Sequence, residues 1–120
     1  YGYTPPLPSE LPEELDAYVA FANHKKDFED PFDKAALLHF RMIELYPFRE
    51  HNGFLARLLM EYHLLKAGFP LSTFDLDEST YNRMVIAWLK KKESAALTEA
   101  LERACLARTE FMMRLTAYEN

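Results

Sequence analysis

The chain has 120 residues and a formal charge of −5, with 49% hydrophobic and 14% aromatic residues. That is enough apolar material for one packed domain and too much for a disordered tail. The acidic balance excludes a general nucleic-acid binder, which needs a basic face to displace counterions from phosphate, and it disfavours anionic membrane surfaces for the same reason.

Residues 1 to 12 hold four of the seven prolines. Proline lacks the donor that helices and sheets need, so this stretch reads as an extended lead-in to a helical domain, continuing from something longer. The lead-in is placed at 1–11 and the helical domain at 12–120, and Tyr1 and Tyr3 around Gly2 allow the end of a strand. A first helix is expected from about Pro12 to His24, starting near Ser9 or Glu10, with Leu15, Tyr18, Val19 and Ala22 at helical spacing. Asp30-Pro31 is a good second start, since aspartate suits the cap and proline the first turn. Its inner stripe is Ala35, Leu38, His39, Met42 and Leu45, and Pro47 stops it.

The third helix runs from about Gly53 to Ala67, with Leu55, Leu58, Leu59, Tyr62 and Leu65 apolar, Gly68 at C′ and Pro70 beyond. A fourth covers roughly 78 to 92 behind a cap at Asp77 or Ser79, and a fifth about 94 to 118, carrying Leu97, Leu101, Ala104, Cys105, Met112 and Leu115. No segment sustains strand alternation. The expected fold is all-α, a compact bundle of about five helices with short, mostly antiparallel connections. No apolar run approaches the ~20 residues needed to span a bilayer. The one cysteine, Cys105, cannot close an internal disulfide, which fits a reducing compartment.

The chemistry concentrates in "ELYPFREHNGFLARLL", residues 44–59. A helix start is a ready anion site, because its first amides have no partner within the helix and its dipole end is positive. Gly53 lets backbone approach a ligand closely and take unusual dihedrals. Asn52 tolerates the left-handed region. Glu50 is an oxygen ligand suited to magnesium, which is usually held by one or two carboxylates plus phosphates. Arg57, one turn beyond Gly53, can reach the same mouth and grip phosphate bidentately. Together these residues describe a Mg-phosphate cradle, although Asn-Gly is also a common turn dipeptide.

"LYPFREHNGFLAR" resembles the signature of the Fic/Doc family, His-Pro-Phe-x-(Asp/Glu)-Gly-Asn-Gly-Arg-x-x-Arg, matching at Pro47, Phe48, Glu50, Asn52, Gly53 and Arg57. "TPPLPSELPEELDAYVAF", "DPFDKAALLHFRMIEL" and "LLMEYHLLKAGFPL" are similar to the segments around it, over about residues 4 to 72. The resemblance implies a Fic-like helical bundle, with the lead-in as a remnant of the family's target-docking flap. It implies Mg²⁺ and ATP or another nucleotide as cofactors. It also implies transfer of AMP, or of another phosphate-containing group, to a protein hydroxyl. In that scheme the His is the general base, the acidic residue holds magnesium, the Gly-Asn-Gly backbone cradles phosphate, and the two arginines hold and position the phosphates.

Three positions depart from the pattern. Tyr46 replaces the catalytic His, and a phenol, mostly protonated at neutral pH, is a poor base. Its bulk is expected to fill part of the pocket. Phe54 replaces the first arginine and removes a cation from the outer phosphates. His51 replaces the first glycine, where a Cβ restricts the backbone and the imidazole crowds the nest. The reading is a degenerate Fic domain, a pseudoenzyme lacking ordinary AMP transfer, which serves as a binding or regulatory module with residual nucleotide binding at His51, Asn52, Gly53, Phe54 and Arg57. The alternative is an active transferase with altered catalytic residues, His51 or Tyr46 among them. The implied partners are a protein target or regulator and a second copy in a homodimer. The implied location is the cytoplasm, or a host cytosol for an effector.

Other residues read more plainly. His39 is a buried, hydrogen-bonded structural histidine, and His24 and His63 lack metal-ligand spacing. "LKKKE" is a solvated helix end, while Trp88 and Met84 are core. Met112 and Met113 place one side in the core, and Cys105 is inert packing. Thr98 to Glu102 has the spacing of the family's inhibitory (Ser/Thr)-x-x-x-Glu motif, but Arg103 follows instead of Gly or Asn.

Overall fold

The computed structural model describes residues 2–26, 29–69 and 76–119. Five helices follow in order: α1 (Leu11–Asn23), α2 (Pro31–Leu45), α3 (Asn52–Lys66), α4 (Glu78–Lys91) and α5 (Ala95–Glu119). No strand occurs among the described residues, so the fold is an all-α bundle, as the periodicity implied. No helix is long and apolar enough to cross a membrane among them either.

Local chemistry sets the helix ends. The Asp30 carboxylate accepts from the amides of Phe32 (2.8 Å) and Asp33 (3.4 Å), opening α2 with Pro31 in its first turn. Asp77, not Ser79, caps α4, accepting from Thr80 N–H at 3.1 Å. The two Thr80 bonds stabilise the Asp77 carboxylate and lower its pKa. Behind α3, Gly68 takes a left-handed φ of 94°. The amides of Gly68 and Phe69 reach back to Leu65 and Leu64 carbonyls, each at 3.0 Å, a Schellman closure. Pro70 lies outside the described residues.

The hub is α2, which packs against each of the other four helices. One cluster joins Ala35, Ala36 and Phe40 to Met60, Val85, Trp88, Leu97 and Leu101. Phe40 stacks on Trp88 with ring centres 5.5 Å apart. A second cluster joins Tyr18 to Leu38, Met42, Leu45 and Ala56. Tyr18 is buried and donates its hydroxyl to the Leu38 carbonyl at 2.9 Å, satisfying its polar end. The expected inner stripe of α2 is buried at every position, and Cys105 is buried with it. Burial raises the Cys105 thiol pKa, which fits packing rather than reactivity.

Four expectations are corrected. Val19 faces outward on α1. In α3 the buried stripe is Asn52, Ala56, Met60 and Leu64, while Leu58, Tyr62 and Leu65 are exposed. This helix is apolar on more than one side, and the phase is chosen by the face that meets α2. In α5, burial ends near Cys105, so Met112 and Leu115 are exposed. Met113, at 67% exposure, has no core side either. The lysines of "LKKKE" are exposed as read, and Lys92 pairs with Glu44 and lies 5.2 Å over the Trp88 ring.

Candidate functional site

The site begins where α2 breaks. Tyr46 takes left-handed dihedrals (φ 44°, ψ 55°) and ends the helix. Five residues later His51 does the same (φ 66°, ψ 18°) and starts α3. The left-handed conformations therefore fall on Tyr46 and His51, not on Gly53 or Asn52, which lie inside the helix. Non-glycine residues rarely adopt such dihedrals, and His51 occupies one that glycine would take without strain.

Asn52 closes this turn. It is buried at 3% exposure. Its Oδ1 accepts from the Phe48 amide at 3.0 Å, and its Nδ2 donates to the Phe48 carbonyl at 2.7 Å. Its side chain is therefore committed to the fold. The Leu55 amide is the first to bond back, to the His51 carbonyl at 2.9 Å. The amides of residues 52 to 54 carry no acceptor within the helix, as expected at a helix start. A Cβ built on Gly53 would meet nothing within 4 Å, so this backbone is open to a ligand.

Two openings flank Gly53. One, of about 290 Å³, is lined by His39, Phe54, Arg57, Glu78 and Tyr81 beside Gly53. The other, of about 540 Å³, is lined by Tyr3, Tyr46, Tyr81, Ile43, Val85 and Leu89 with Gly53, and by no charged side chain among the described residues. Tyr3 is fixed there by its hydroxyl, which donates to the Glu44 carbonyl at 2.8 Å. Arg57 thus shares a mouth with Gly53 and Phe54, as the one-turn spacing implied. Tyr46 lines the second mouth and is 52% exposed, so it borders that space rather than plugging it.

Glu50 and His51 stand apart from both openings. Each side chain is 81% exposed, and His51 Nε2 lies 3.7 Å from a Glu50 oxygen. The imidazole faces water and does not crowd the nest. Among the described residues no group of three or more His, Cys, Asp or Glu side chains could hold a metal.

His39 and Tyr81 are joined across the bundle. His39 Nε2 lies 2.8 Å from the Tyr81 hydroxyl. Burial pushes the imidazole pKa down to about 4, against the Ala56 backbone and with help from the Arg57 charge. His39 is neutral and structural, as its helix face implied. Tyr81 and Glu78 were not legible as site residues, because they reach the mouth only through the packing of α4 beside α2. Thr98 is buried and donates back to the Ser94 carbonyl at 3.2 Å. Glu102 is exposed, and no ion pair joins it to Arg57 among the described residues.

The profile of the Fic/DOC family matches residues 1–64. The chain is 36% identical over 69 residues to "Protein adenylyltransferase Fic" of Nematostella vectensis, covering 57% of this chain and 16% of that protein. It is 34% identical over 70 residues to the Aedes aegypti protein of that name, covering 58% and 14%. It is 33% identical over 69 residues to "Protein adenylyltransferase fic-1" of Caenorhabditis elegans, covering 57% and 14%. The chain therefore spans a small fraction of the length of these relatives.

Proposed function

The chain belongs to the Fic/DOC family, and on that premise we propose that it is a degenerate Fic domain, without ordinary AMP transfer, that works as a nucleotide-binding or regulatory module in a cytosol. The observation that carries this reading is Tyr46, which stands at the family's base position beside an opening with no charged side chain among its described lining residues. Loss of a general base costs about 10²–10⁴ in rate. Phe54 also lacks the cation that would hold the outer phosphates of ATP.

What remains supports binding. Arg57 and the open backbone at Gly53 line one mouth. The turn that presents them is held by Asn52. His51 supplies the turn conformation in place of glycine. The partners are a protein target or regulator, with a homodimer as the implied assembly.

A second reading is an active transferase that moves AMP or another phosphate-containing group to a protein hydroxyl. It is favoured by Arg57 and Gly53 lining one opening. The experiment that separates the two is transfer of label from ATP labelled at its α-phosphate to protein substrates, with Glu50→Ala as control. The degenerate reading predicts no incorporation above that control. Robust incorporation that Glu50→Ala abolishes would overturn it.

A further inference from the structure

Gly53 and Tyr81 line both openings, so the two spaces adjoin. They differ in chemistry. The larger, about 540 Å³, is lined by Tyr3, Tyr46 and Tyr81 and, among the described residues, by no charged side chain. The smaller, about 290 Å³, is lined among the described residues by one cation, Arg57, and one carboxylate, Glu78. His39 adds no charge to it, since burial keeps the imidazole neutral at physiological pH.

We infer that this paired site takes a nucleoside monophosphate in preference to a nucleoside triphosphate. The inference rests on the nucleotide-binding reading and names the ligand class. A planar base has phenol faces to stack on in the uncharged space. A single phosphate finds a bidentate partner in Arg57 and unpaired amides at the start of α3. Further phosphates would bring negative charge with no second cation among the described lining residues to meet it. They would face the Glu78 carboxylate, and Phe54, an exposed aromatic, lines the same mouth. A metal does not repair this, because Glu50 stands outside both openings.

The test is calorimetric titration with adenosine, AMP, ADP and ATP, each with and without Mg²⁺. The chain is compared with Arg57→Gln and Tyr46→Ala, both changes at exposed positions. AMP is expected to bind about tenfold or more tighter than ATP, with Mg²⁺ or without. Arg57→Gln should bring AMP down to the affinity of adenosine and leave adenosine unchanged. Tyr46→Ala should weaken adenosine and AMP alike. ATP binding as tightly as AMP, or an AMP preference that survives Arg57→Gln, would overturn this inference and leave nucleotide binding standing. No binding by any of the four at millimolar concentration would overturn both.

Discussion

On the facing sides of α2 and α3, Ala35, Ala36, Phe40, Ala56 and Met60 are fully buried. In the turn that joins the same two helices, Tyr46 is 52% exposed, Phe48 60% and, just inside α3, Phe54 65%. The three departures from the family pattern, Tyr46, His51 and Phe54, all sit in the exposed part. Packing constrains the helix faces and leaves the turn residues free of the core, so side chains needed for chemistry can change while the scaffold persists. The exception within the turn is Asn52, whose amide ties Phe48 to the start of α3.

The contrast can be broken most strongly from the packed side. Phe40→Ala removes a fully buried ring stacked on Trp88. It should cost about 3–5 kcal/mol, enough to unfold a marginal domain, read as a lost or greatly lowered denaturation midpoint.

Acid acts on the same core. The folded His39 pKa is about 4, below the ordinary histidine value of 6.5. Between those values the unfolded chain binds a proton that the folded chain does not, so stability falls as pH falls through that window. The loss approaches about 3 kcal/mol below it. Burial lowers the His63 pKa too, which adds a loss of the same sign. Urea midpoints measured from pH 7 down to 4 should show this decline, and replacing His39 with glutamine should flatten it.

A smaller effect sharpens the boundary between the two regions. Asn52→Ala leaves the Phe48 amide and carbonyl without their partner and should cost about 2 kcal/mol. Tyr46→Phe, at an exposed position, should stay within about 0.5 kcal/mol in the same denaturation assay.

Much of the scaffold was legible from the residues. The inner stripe of α2, the Asp30 cap and the Gly68 closure follow from local pattern and chemistry. The phase of α3 was not, because Leu58, Tyr62 and Leu65 form as good an apolar stripe as the residues that α2 covers. Met112 and Leu115 continue the α5 pattern past the point where the described helices cover it. At the site, the sequence order Tyr46 to Arg57 names the turn and its departures. It cannot show that Asn52 is spent on Phe48. Nor can it show that His39 meets Tyr81, 42 residues away, a residue that lines both openings.

The proposal is that a Fic scaffold persists here while its reacting side chains are gone. Its most direct test is the combined variant Tyr46→His, His51→Gly, Phe54→Arg, assayed beside the parent chain for incorporation of label from ATP carrying it at the α-phosphate, with helicity followed by circular dichroism. Equal helicity in both chains, no incorporation by the parent and incorporation by the variant are expected. A folded variant that stays inert, or a parent that labels as well as the variant, would contradict it.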